Sequence, residues 1–210
     1  MKKRIFFDVM GVIFTVGDDT NDLLVPFITA RNKTITRAEI CKEYMRASLG
    51  GITSKAFWER VGLGADYPEI ELAYLDTCLA LDDECIETLN ILSKNYELGI
   101  ISNDVSEWSA YLRDKFSLNR YFKTVIISGD VKQRKPDKRI FEKVKCFGED
   151  YSDCVFIDDR IKNLVPPAEL GFKTILFNRN GEQKDTYSPQ VTRFSQIPEA
   201  VNKFFGELNG

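Results

Sequence analysis

The chain has 210 residues, with 29 Lys and Arg against 32 Asp and Glu, a formal net charge of −3 and 43% hydrophobic residues. These proportions belong to a globular chain long enough to build a core, and the balance leaves no overall electrostatic footprint for nucleic acid. The sequence contains no histidine, which excludes Ser-His and Cys-His nucleophile pairs, histidine general bases and His-ligated metals.

The chain opens on the basic run Met1-Lys2-Lys3-Arg4 and a short apolar strand over 4–7 that stops at Asp8. Asp8 interrupts the apolar stretch and Asp18-Asp19 stand where a small-residue cleavage site would fall, so no secretory leader is expected. No window approaches the ~18 consecutive apolar residues of a membrane-spanning helix, and no membrane partner is expected. Residues 18–81 are helix-rich, with helical patterns over 23–31, 37–49, 54–61 and 69–79. Thr36 and Thr53 suit N-caps, and Gly50-Gly51 and Gly62-Leu63-Gly64 are turns. Phe57, Trp58 and Leu63 read as this region's own core. Gly50-Gly51 reads equally as an ordinary helix–helix turn and as one that reaches toward a site on closure.

From residue 82 onward helices and strands alternate. Helical patterns cover 82–94, 106–115, 137–147 and 161–170, the last interrupted by Pro166-Pro167. Strand patterns cover 96–101, 124–127, 154–157 and 173–177, and a final amphipathic helix covers 196–208. This alternation predicts an α/β fold with a parallel sheet flanked by helices. Five cysteines (Cys41, Cys78, Cys85, Cys146, Cys154), odd in number and without a CxxC pair, read as small buried hydrophobes in a reducing cytoplasm.

Polar clusters follow four of the strands, at the edge where open α/β sheets bind ligands. They are Asp8, Ser102-Asn103, Lys135 within Arg134-Lys135-Pro136-Asp137, and Asp158-Asp159 with Asn163 four residues on. Singly each reads as a cap or turn; together they read as a site. The basic run over 132–139 contains the cluster lysine and opens a helix, so its remainder reads as a solvated face and no nucleic-acid partner is expected.

In this order the four clusters resemble the signature motifs of the haloacid dehalogenase superfamily, the aspartate-nucleophile hydrolases, over essentially the whole chain. Arg134-Lys135-Pro136-Asp137 and Asp158-Asp159 to Asn163 resemble its sugar-phosphatase and dehalogenase-like branch. The resemblance implies a Rossmann-like parallel sheet with a small all-helical cap inserted after the first strand: core over 1–17 and 82–210, cap over 18–81. It implies a Mg²⁺-dependent phosphatase acting on a small phosphorylated metabolite, sugar phosphates included, as a monomer or homodimer. Asp8 is then nucleophile and metal ligand, with the Met10 backbone carbonyl and Asp159 as further ligands. Asp158 supports the metal through water or holds Lys135, and Asn163 stands behind these groups. Ser102 and the Asn103 N–H grip phosphoryl oxygens, and Lys135 neutralises the nucleophile and transferring group.

One position departs from the pattern. Most phosphatases of the family carry an acid/base Asp two residues after the nucleophile, and here that residue is Met10, which transfers no proton. Three alternatives stay open. A phosphatase acts on a good leaving group or borrows an acid, for which Glu43, Glu59, Asp18 and Asp19 are candidates. A 2-haloacid dehalogenase expels a halide that needs no proton, with Arg31 or Arg46 to assist. A weak or inactive member binds a phosphorylated ligand or a protein partner. A phosphonate-cleaving role would need a Schiff-base lysine among Lys33, Lys42 and Lys55, which read as surface lysines.

Overall fold

A computed structural model describes residues 3–144, 150–181 and 187–206. Strand β1 (Arg4–Phe7) leads into four helices, α1 (Val25–Arg31), α2 (Arg37–Ala47), α3 (Ser54–Arg60) and α4 (Glu69–Thr77). Then α5 (Cys85–Leu92) precedes β2 (Glu97–Ser102), and α6 (Ser106–Lys115) precedes β3 (Phe122–Ile127). Two short helices, α7 (Ser128–Val131) and α8 (Lys138–Glu142), lead toward β4 (Cys154–Asp158). Helix α9 (Ile161–Leu170), β5 (Lys173–Phe177), β6 (Gln190–Val191) and α10 (Ile197–Phe205) complete the chain. The strands pair in parallel in the order β3-β2-β1-β4-β5-β6, a Rossmann-like α/β sheet.

Alternation along the strands divides the apolar side chains between the two sheet faces. Ile5 and Phe7 of β1, Val155 and Ile157 of β4, and Ile175 and Phe177 of β5 join one cluster, with α5, α6, α10 and α1–α4. Phe6, Phe156 and Leu176 join the other, with α8 and α9. The first cluster runs without a break from the sheet into the helices that follow β1.

Local chemistry moves several element ends. The N-cap expected at Thr36 is present, completed to a capping box by Glu39, and Thr53 caps α3. A wider π turn (Thr20–Leu24) precedes α1. Helix α5 starts at Cys85 rather than 82, because the Asp82 carboxylate turns back to accept from the Glu84 N–H (2.9 Å). Helix α9 is continuous through Pro166 and Pro167. Burial of Leu164 and Pro167 in this crossover outweighs the missing N–H groups. Helix α8 ends at Glu142, short of the expected 147, and 145–149 lie outside the described residues, as do 207–210 beyond α10. Strand β6, two residues long, carries no sequence signal. Among the described residues no helix is long and apolar enough to cross a membrane.

Candidate active site

Parallel pairing brings the strand ends to one edge. Phe7 sits in register with Ile100 on one side and Ile157 on the other, so the next residues of β1, β2 and β4 emerge together. The Asp8 N–H donates to the Ile157 carbonyl (2.8 Å), which carries the pairing one residue past β1 and fixes where the Asp8 carboxylate starts. The chain then turns at Gly11, whose φ of +83° suits glycine. Any Cβ there would collide with the Asp159 carboxylate.

The sequence-predicted site residues converge. Lys135 Nζ lies 2.8 Å from Asp8 Oδ1 and 2.7 Å from Asp158 Oδ2, with all three side chains buried. Asn163 Nδ2 donates to both Asp158 oxygens (3.0 and 3.1 Å), and the Arg160 N–H donates to Asp158 Oδ1 (2.8 Å). Asp158 thus has both oxygens engaged, one of them by the lysine. The Asn103 side chain holds the Lys135 backbone at both ends: its Oδ1 accepts from the Lys135 N–H (2.8 Å) and its Nδ2 donates to the Lys135 carbonyl (3.0 Å). Among the buried oxygens of the site, Ser102 Oγ, Asn163 Oδ1 and Asp159 Oδ1 have no hydrogen-bond partner, the last lying 4.0 Å from Arg160 Nε.

Asp8, Asp158 and Asp159 each offer a carboxylate oxygen within 4.8 Å of the other two. Three carboxylates face Lys135 and, 4.0 Å from Asp159, the half-exposed Arg160, which leaves a surplus negative charge where water is scarce, a costly arrangement unless protons or a cation enter. Burial pushes Asp8 up to about 7 against the pull of Lys135, with Asp158 adding to the rise. Burial and then Asp8 push Asp159 up to about 6, against Arg160 and Lys135. Burial disfavours the Lys135 charge, but Asp158 and Asp8 outweigh it and raise its pKa, so Lys135 stays a cation. A cluster of hard oxygen donors with an Asp159 oxygen that accepts no hydrogen bond fits a small divalent cation.

Above the carboxylates lies a recess of about 60 Å³, lined among others by Asp8, Met10, Asp19, Tyr44, Arg134 and Lys135. Its roof comes from the helices after β1. The Ser128 hydroxyl donates to the Ser48 carbonyl (2.5 Å), and Arg134 Nη1 donates to Ser48 Oγ (2.5 Å) and lies 3.0 Å from Met45 Sδ. Gly50 packs so closely on the Gly129 carbonyl that a side chain there would clash. The expectation that residues around Lys135 form a solvated face therefore fails at Arg134, which is half-buried in this seam. Phe57 and Trp58 are not a private core either, because Trp108 of α6 packs against both (ring centroids 5.4 and 5.9 Å). Both indole N–H groups donate to Glu71 Oε2 of α4 (Trp58 at 2.9 Å, Trp108 at 2.7 Å).

The model of the haloacid dehalogenase-like hydrolases matches residues 2–171. The chain belongs to that family. A curated member, a flavin mononucleotide hydrolase from Arabidopsis thaliana, is 31% identical over 104 residues, 49% of this chain and 41% of that protein. The chain thus matches less than half the length of that relative. Among solved structures, a 2-haloacid dehalogenase from Pseudomonas syringae aligns at a TM-score of 0.73 and 18% identity, covering 97% of this chain and 100% of its own. A haloacid dehalogenase family enzyme from Bacteroides thetaiotaomicron, in complex with magnesium and inorganic phosphate, aligns at 0.71 and 20%, covering 90% and 98%. The shared fold serves both reactions, so this chain's chemistry has to be argued from its own residues.

Proposed function

We propose that this haloacid dehalogenase-like hydrolase is a Mg²⁺-dependent phosphatase, which moves the phosphoryl group of a small phosphorylated metabolite onto Asp8 and then onto water. The observation that carries the reading is the surplus of buried negative charge around Lys135, with an Asp159 oxygen that accepts no hydrogen bond. A haloacid site has no use for that surplus; a phosphate site uses it to hold a cation. Asp8, Asp159 and the Met10 carbonyl are the proposed ligands, with Asp158 behind them holding Lys135. When bound, Mg²⁺ supplies the positive charge that lets a carboxylate approach a phosphate ester. The Arabidopsis relative is a flavin mononucleotide hydrolase, and the Bacteroides enzyme binds magnesium and inorganic phosphate, which supports the same class.

In this reading the chain's own groups divide the work. Asp8, aimed by its backbone bond to Ile157 and by Lys135, attacks phosphorus to give an aspartyl-phosphate. The unpartnered Ser102 hydroxyl and the Asn103 N–H hold phosphoryl oxygens, and Lys135 offsets their charge. Asn103 keeps Lys135 in place through its backbone, and Asn163 keeps Asp158 facing it. The helices over 18–81 act as a cap on a core of 1–17 and 82–210, closing the recess on the phosphoryl group. Among the described residues Cys41, Cys78, Cys85 and Cys154 form no disulfide, which fits a reducing cytoplasm.

The test is phosphate release from a panel of sugar 1-phosphates, sugar 6-phosphates, flavin mononucleotide and acetyl phosphate, with and without Mg²⁺. Release that requires both Mg²⁺ and Asp8 supports the reading. Met10 favours a second one, a dehalogenase whose leaving halide takes no proton. Chloride release from a 2-haloacid in EDTA, with silence on the phosphate panel, would decide for it.

A further inference from the structure

Resting on the phosphatase reading, we propose that the Asp19 carboxyl delivers the proton to the leaving oxygen, the task for which position 10 has no acid. The geometry selects it among the acids near the site. Asp19 is 8% exposed and lines the same recess as Asp8 and Met10. It stands at the start of the π turn without capping it, and the one backbone N–H on its carboxyl is that of the adjoining Thr20. Asp18 also lines the recess, but it is exposed and both its oxygens accept from Asn21 Nδ2 (3.0 and 2.9 Å). Glu43 faces a separate hollow of about 360 Å³ on the outside of the helices, 3.4 Å from Arg46 and 3.7 Å from Arg60. Glu59 is a surface residue 3.9 Å from Lys55.

The surroundings of Asp19 bring its proton exchange to neutral pH. Burial pushes it up to about 7; Arg160 pulls it down, while Asp18 and Asp8 push it further up. Tyr44, Tyr74 and Asp104 face it from α2, α4 and the loop after β2, and none of them is a cation. An acid poised near the working pH is the efficient one. Tyr44, which also lines the recess, is held well above its ordinary value by burial and gives up its proton less readily.

The steps balance. As Asp8 Oδ bonds to phosphorus, the bond to the leaving oxygen breaks and that oxygen takes the Asp19 proton, releasing an alcohol. Water then bonds to phosphorus while Asp19 carboxylate accepts its proton and the bond to Asp8 breaks. Phosphate departs, with Asp8 ionised and Asp19 protonated again.

The experiment compares native protein, Asp19→Asn, Asp19→Glu and Tyr44→Phe on p-nitrophenyl phosphate, whose leaving group needs no proton, and on an alkyl phosphate, whose leaving group does. For Asp19→Asn the expected loss of kcat/KM is about 10²–10⁴-fold on the alkyl ester and under about tenfold on the nitrophenyl ester. Asp19→Glu regains part of the alkyl rate. Acid-quenched Asp19→Asn turning over p-nitrophenyl phosphate carries phosphate on Asp8, seen by mass spectrometry, because the second step has lost its base. In the protein alone, the infrared intensity of protonated carboxyls that titrates near neutrality falls by one group in Asp19→Asn, the contribution of Asp8 remaining. Equal losses on both esters, or a leaving-group-dependent loss in Tyr44→Phe instead, would overturn the assignment to Asp19 alone. Absence of all phosphate release from the native protein overturns the phosphatase reading and this one with it.

Discussion

The sheet edge and the helical seam above it are built on opposite rules. At the edge, ionic groups are concentrated: Lys135 stands between Asp8 and Asp158 while Asp159 keeps an open oxygen. At the seam the contacts are neutral or singly charged, with two indoles on one carboxylate and Ser128 on Ser48. The edge is thus destabilised for binding, and the seam is stabilised for position. Stored charge is useful only where a ligand relieves it, and the geometry around it has to be held by something else.

The largest effect expected separates the two regions. Asp8→Asn should lower phosphate release by ~10⁴-fold or more, the scale for losing a covalent nucleophile, and leave the seam intact by calorimetry. If Asp8 were only structural, activity would survive. Lys135→Met should be the most destabilising change at the edge, by about 3–5 kcal/mol, because it leaves two buried carboxylates unpaired. Chemical denaturation at pH 8 and pH 5 checks this, and the loss should shrink at pH 5, where protons take the lysine's place. At the seam, Glu71→Ala orphans two buried indole N–H groups and should cost about 1–3 kcal/mol. Glu71→Gln, which keeps an acceptor, should cost less.

The pH profile sharpens the contrast. Asp8 and Asp19 are pushed up to about 7 and Asp159 to about 6, all by burial first, and Asp104 well above the usual carboxylate range. A carboxyl whose folded pKa is raised binds more protons folded than unfolded, so stability falls as pH rises from about 4 through the folded values. The melting temperature of metal-free protein should therefore drop between pH 5 and pH 8. Mg²⁺ should remove most of that drop, since a cation replaces the protons. A flat profile would mean that the edge holds no surplus charge. The smallest effect belongs to the outside of the helices: Glu59→Gln should change stability by no more than about 0.5 kcal/mol and leave turnover unchanged.

The two regions also differ in how far the sequence discloses them. Asp8, Ser102-Asn103 and Asp158-Asp159 each lie at or just after the end of a strand, and parallel pairing brings such ends together, so the edge was legible from local pattern. Lys135, remote from β3, was found through its motif. The seam joins residues far apart in the chain, Arg134 to Ser48 and Trp108 to Glu71. Nothing in the local pattern of Arg134 or Trp108 announces a partner, which is why one read as solvated and the other went unremarked. Strand β6 was missed for the same reason, since two residues carry no periodicity.

The placement of the indoles has an optical consequence. The chain contains two tryptophans, and both donate to Glu71, one from each side of the seam. Tryptophan emission from this protein therefore comes wholly from the contact between α6 and the helices after β1. Fluorescence excited selectively at the indoles becomes a label-free gauge of whether that contact is made, read on the unmodified protein while a phosphorylated ligand is titrated in.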